Sequence, residues 1–181
     1  MKINILFLTI HILLFSLFSC SNDKDKEMEI PDGELYATMN IVTPDSLIST
    51  SNILFSVDNI MSFNSTTNEL IFYYFTDEEL EDQILKNDCY SLTLYIGNTM
   101  LFDSIYIHTR FSSQIYDGLT FAAHPGRGCY FINGFPLLDK PYYETFEKEM
   151  HLRRREESAV KIRERWNVFI KYMESKRKIV E

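Results

Sequence analysis

Tyr90-Ser91-Leu92-Thr93-Leu94-Tyr95-Ile96-Gly97-Asn98-Thr99-Met100-Leu101-Phe102-Asp103-Ser104-Ile105-Tyr106-Ile107 is the stretch on which the fold turns. Two runs rich in β-formers flank Gly97-Asn98. A two-residue loop of this composition supplies the positive φ of a tight hairpin, so the spacing predicts strands over 90–96 and 99–107. Outward from it the same composition recurs. Leu35–Val42 ends at Pro44, and Ile53–Val57 is a short apolar run. Ile60–Phe63 and Glu69–Phe75 flank the polar connector Asn64–Asn68; Leu119–Ala123 and Cys129–Ile132 flank a Pro-Gly turn. Asp77–Lys86 reads as one short helix, capped by Thr76 or Asp77, with Glu78, Glu79 and Glu81 favourably placed in its first turns. About seven short strands with tight turns predict an α+β fold built on a mostly antiparallel sheet or small barrel-like domain.

The C-terminal segment differs. Asp139 suits an N-cap, Pro141 the first turn, and no Gly or Pro follows through Glu181. Ala159, Ile162, Trp166, Phe169 and Met173 recur at helical spacing and share one stripe. Tyr142, Phe146 and Met150 form a second stripe out of phase with the first, which allows a break near His151–Ser158. About 40 unbroken helical residues would reach roughly 60 Å, against roughly 35 Å for the rest of the domain. Such a helix must protrude, fold back or pack on another molecule. The stripe therefore either closes the core or docks an envelope protein partner.

Charge divides the chain the same way. The net of −8 is an average: residues 21–139 hold 5 Lys/Arg and 18 Asp/Glu, a net of −13, and residues 140–181 hold 12 and 8, a net of +4. An acidic chain of this kind is unsuited to nucleic acid, whose phosphates need a basic face. On the helix, Glu144–Lys148, Glu149–Arg153, Glu157–Lys161 and Glu174–Lys178 are spaced as internal ion pairs, which leaves Arg153-Arg154-Arg155 the least explained.

The N-terminus carries an address. Met1-Lys2 precede an apolar run, Ile3–Phe18, that is short for a membrane span and right for a signal-peptide core. It stops at Leu17-Phe18-Ser19-Cys20, followed at once by Ser21-Asn22-Asp23-Lys24-Asp25-Lys26-Glu27. This resembles the lipobox of bacterial lipoproteins. The resemblance implies cleavage after residue 19, lipidation of Cys20, and a cell-envelope protein held at a membrane, the outer membrane first, by its N-terminal lipid. The segment from Asp58-Asn59-Ile60 to Glu69-Leu70 is similar to small lipoproteins of Bacteroidetes-type bacteria. The domain plan that follows is a signal peptide at 1–19, an acidic tether at 20–33, a β-rich domain at 34–138 and the helix at 139–181. Asp45-Ser46-Leu47 and Asp103-Ser104-Ile105 resemble the Asp-Ser/Thr-apolar acceptor of Bacteroidetes O-glycosylation; Ser46, outside any core strand, is the better candidate.

Few residues point to chemistry. Cys89 and Cys129, each opening a strand, could form one disulfide outside the cytoplasm or stay as buried thiols. His124-Pro125-Gly126-Arg127-Gly128-Cys129 could pair a nucleophile with a base, with Arg127 holding an anion, which gives a small envelope hydrolase as the alternative to a non-catalytic binding or assembly module. The same residues also make an ordinary turn. The histidines lack metal-ligand spacing, and no cofactor motif is present. The many tyrosines fit either core filling or, if gathered in a concave patch, a glycan-capture surface.

Overall fold

The computed structural model describes residues 29–42, 47–112, 114–135 and 145–181. Cys20, Ser46, Asp139, Pro141 and Tyr142 lie outside them. The hairpin at Gly97-Asn98 forms as its sequence requires. Gly97 takes φ 54°, and Tyr95 and Ile96 pair antiparallel with Met100 and Thr99. No other residue fits there without rearrangement, because a Cβ on Gly97 would stand 2.1 Å from the Asp32 carbonyl oxygen.

The elements, in chain order, are β1 Leu35–Val42, β2 Leu47–Ser56, a 3₁₀ turn Val57–Asn59, β3 Ile60–Asn64, β4 Glu69–Phe72, α1 Asp77–Lys86, β5 Cys89–Ile96, β6 Thr99–His108, β7 Tyr116–His124, β8 Gly128–Phe135, α2 Thr145–Ser175 and β9 Ile179–Val180. The strands make one sheet in the order β2-β1-β5-β6-β7-β8-β4-β3-β9, antiparallel except at β6–β7 and β3–β9. The α+β fold with a short and a long helix is as the sequence indicates. The parallel β6–β7 join and the two-residue β9 are additions to that expectation.

The sheet curls. Laid flat, β2 and β7 would be four strand spacings apart, roughly 19 Å. Yet the rings of Phe55 on β2 and Phe121 on β7 lie 5.7 Å apart, and Phe55 meets Phe72 of β4 at 5.3 Å. The chain itself joins the two ends of the sheet, since β2 runs through the 3₁₀ turn straight into β3. Asn59 fixes that corner by accepting from the Ser56 backbone N–H.

Alternation decides which side chains fill the curl. Leu35, Ala37 and Met39 of β1, Leu92, Leu94 and Ile96 of β5, Ile105 and Ile107 of β6, and Phe121 and Ala123 of β7 enter one core. Both helices close it. α1 begins with a capping box in which Thr76 and Glu79 satisfy each other's backbone N–H groups, and it inserts Leu80 and Ile84.

α2 inserts Phe169, Tyr172 and Met173, with Ile162 and Trp166 packed alongside. Trp166 meets Phe63, Phe102 and Phe131 at 5.8–6.1 Å. The helix is continuous through 151–158, so the break that its two stripes allowed does not occur. Its 31 residues extend about 46 Å. It ends where the Lys178 N–H reaches the Met173 carbonyl around Arg177 at φ 57°. The sequence's division at 138/139 does not mark a second core, because α2 and the sheet share one.

Candidate functional site

The face of the sheet away from the core carries the most unusual chemistry. On β6, Ile107 points inward, so His108 points outward. The parallel register sets His108 opposite Ala122, and His124 lies two residues further on the same face. His108 Nδ1 and His124 Nε2 are 2.6 Å apart, and the two rings stack at 4.8 Å. Phe135 and Tyr116 wall His108 in, with ring centroids at 3.4 and 6.4 Å, and only 3% of it is exposed. Its Nε2 is buried without a hydrogen bond.

Two imidazoles this close can share one proton but resist a second. Burial, reinforced by the charge of His124 and opposed by the Ser112 backbone, lowers His108 to about 4. Burial also lowers His124, with Glu81 opposing the shift and Arg127 adding to it. Both rings are therefore neutral near pH 7.

An open cleft of about 370 Å³ lies over the pair, lined by His108, Arg110, His124, Pro125 and Arg127. Arg110 is held from beneath. Glu81 of α1, fully buried, accepts from the Arg110 backbone N–H at 2.7 Å and pairs with its Nε at 2.9 Å. Arg127 projects from the exposed β7–β8 turn. Of the three Lys/Arg between residues 29 and 135 (Lys86, Arg110 and Arg127), two line this one cleft.

Next to it, beyond the Thr109–Ser112 turn, is a second cleft of about 410 Å³. Its walls include Leu85, Tyr90, Phe111 and Tyr116, with Asp88 and Gln114. Phe111 is 70% exposed, and Tyr90, Ile115 and Leu85 are also exposed. The Arg110 guanidinium sits 5.0 Å over the Phe111 ring, so one turn borders both clefts.

The nucleophile–base arrangement is not assembled. Ala123 pairs with Cys129 across β7–β8, so Cys129 shares the core face with Ala123 while His124 takes the other. Cys129 is fully buried, and burial beside Asp77 pushes its thiol up, away from the nucleophilic thiolate. Asp77 instead holds the turn, accepting from the Gly128 N–H at 3.0 Å. The disulfide weighed for Cys89 and Cys129 is likewise corrected: both are free thiols. β6 and β7 separate their strands, roughly 14 Å against the 7 Å a bridge tolerates. Burial pushes Cys89 up to about 11.

The helical stripe goes inward. Phe169 and Met173 are buried, Ile162 and Trp166 pack on the core, and Ala159 lines a small hollow with Leu119 and Trp166. What α2 leaves outside is Leu152 and Val160. Arg153 pairs with Glu157 at 3.0 Å, and Arg154 and Arg155 turn to Asp117. Ser104 lies at the β6 irregularity with φ 52° and is exposed.

Sequence reasoning singled out His124 and Arg127 but missed His108 and Arg110. Alternation from Ile105 and Ile107 puts His108 outside, but only the parallel register brings it to His124. Among the described residues, no three His, Cys, Asp or Glu are placed to hold a metal ion, and no helix is long and apolar enough to cross a membrane. No protein-family model, curated protein or solved structure matches the chain.

Proposed function

We propose that this is a lipid-anchored, non-catalytic binding module of the cell envelope, and that it takes its ligand at the clefts on either side of the Thr109–Ser112 turn. The observation that carries the reading is the clustering of exposed Leu85, Tyr90 and Phe111 about one concavity. The helical stripe packs on the protein's own core: Phe169 and Met173 are buried, and Ala159, Ile162 and Trp166 are half-buried. Side chains that are large, apolar and exposed together mark interaction surfaces in soluble domains. The mixture of aromatic rings with Asp88, Thr109, Ser112 and Gln114 also favours the glycan-capture version of the reading, since sugars need both stacking and hydrogen-bonding groups.

The lipobox supports the anchor. Metabolic labelling with a fatty acid should mark the wild type and spare Cys20→Ala; a variant that still labels would end the anchor reading. For the cleft, a photo-crosslinking amino acid at position 111 should capture a ligand or partner in cells. One at position 160, on the outer face of α2, should not. Capture from position 160 alone would overturn the assignment.

A further inference from the structure

We propose that the cleft of Arg110, Arg127, His108 and His124 is a phosphate-group site, in which His124 takes up a proton as the anion binds. The inference deepens the binding-module reading and rests on it. It names the chemistry of one part of the ligand.

Cations are scarce in this part of the chain. Residues 29–135 hold three cations, and two of them border a single cleft whose lining contains no carboxylate. Glu81 grips Arg110 through Nε and the backbone, from the buried side, which leaves the outer edge of the guanidinium for a ligand. A planar guanidinium fork suits an oxyanion, and two of them suit one with more than two oxygens. Phosphate fits better than a carboxylate on that count.

The histidines supply the rest. His124 Nε2 is committed to His108, so Nδ1 is the nitrogen left for a ligand. The charged and titratable groups around it are His108 on β6, Arg110 just beyond β6, Arg127 on the turn and Glu81 on α1. Burial keeps His124 neutral in the free protein, with Arg127 adding to the effect and Glu81 opposing it. A phosphate there reverses the balance. A proton from solvent then gives an imidazolium that donates through Nε2 to His108 and through Nδ1 to the anion. The atoms balance as one proton taken up per anion bound, with no bond broken in the ligand. By linkage, affinity rises as pH falls through the neutral range.

The test uses the full chain in detergent, titrated with inorganic phosphate and with glycerol phosphate, while the histidine ring resonances are followed by NMR. Phosphate should shift the His124 signals and tighten several-fold between about pH 8 and pH 6. Arg127→Gln, on an exposed turn, should weaken binding about tenfold or more with an unchanged urea midpoint. Lys86→Gln, which removes the one Lys/Arg of residues 29–135 outside the cleft, should not. His124→Gln should leave only the pH dependence of the phosphate's own ionisation. Phosphatidic acid vesicles that compete more strongly than either soluble probe, in an Arg127-dependent way, would identify the source as a lipid headgroup; stronger binding of glycerol phosphate would identify a soluble ester.

Equal losses in Lys86→Gln and Arg127→Gln, or ring signals unmoved by any phosphate, would overturn the site. If crosslinking from position 111 persists in that case, the anion assignment has failed and the binding-module reading has not.

Discussion

His108 is neutral in the folded chain because burial and a neighbouring imidazole both oppose its charge. That has a sign. Unfolded, it takes a proton near its ordinary value of 6.5; folded, only near about 4. Above about pH 6.5 both states are neutral and the stabilisation is fully present. As pH falls the unfolded chain binds the proton first, and stability is lost down to about pH 4. At about 1.4 kcal/mol per pKa unit, this residue alone accounts for an order of 3 kcal/mol. Urea midpoints should fall across that window, and His108→Phe should flatten the fall. An unchanged slope in the variant would assign the acid sensitivity to other groups. In Gly97→Ala a Cβ meets the Asp32 carbonyl oxygen at a backbone with φ 54°, so thermal unfolding should show a loss of about 2 kcal/mol or more. The thiols of Cys89 and Cys129 should react with an alkylating reagent only slowly until the chain is unfolded, and nonreducing mass analysis should find both reduced.

At the scale of elements, α2 is fastened at two places by different physics. Its second half is held by apolar burial through Phe169, Tyr172 and Met173. Its first half is held by Asp117 at the start of β7, which receives His151 Nδ1 at 2.7 Å and Arg155 Nε at 3.3 Å, with Arg154 Nη1 at 3.7 Å. Asn133 adds a bond to the Arg155 carbonyl. Asp117→Asn should therefore loosen one half of the helix and not the other. Hydrogen exchange should quicken over about 147–158 while 166–175 stay protected, with a stability loss on the order of 1–3 kcal/mol. Uniform quickening would mean that the helix is held as one piece. The clamp also answers the question left by Arg153-Arg154-Arg155: two of the three serve a half-buried carboxylate of the sheet. The sequence could show the helix and its apolar stripe, because both are written in local spacing. It could show the Gly97-Asn98 hairpin and a cap at Thr76 or Asp77 for the same reason. It could not show Asp117 as the receiver of those arginines, nor His108 as the neighbour of His124. Both depend on β6 and β7 running parallel across only residues 109–115, a pairing that no short-range pattern encodes.

For the whole molecule, the two-signed charge of the chain becomes internal. Helix α2, from the segment with a net of +4, lies against the sheet of the acidic part. Asp117 gathers His151, Arg154 and Arg155, and Arg165 stands 3.9 Å from Asp103 and over the Phe102 ring. What looked in sequence like an acidic domain with a basic arm is one body whose arm forms a wall. The chain closes the same way at its far end. Tyr172 donates to the Gly33 carbonyl and accepts from the Leu35 N–H, and β9 pairs with β3 after the helix has ended. The first strand, the long helix and the last strand are thus tied together. A fold closed by contacts between its chain ends has no stable part without them, so sheet and helix should unfold in one transition. The helical circular dichroism signal and the fluorescence of Trp166, which reports the Phe63–Phe102–Phe131 contact, should trace the same urea curve. A chain cut after Ser158 should lose tertiary structure throughout. Two separate transitions, or a truncated sheet that keeps its near-ultraviolet signal, would show that α2 is an appendage after all. The apolar stripe of α2 would then return as a candidate docking surface.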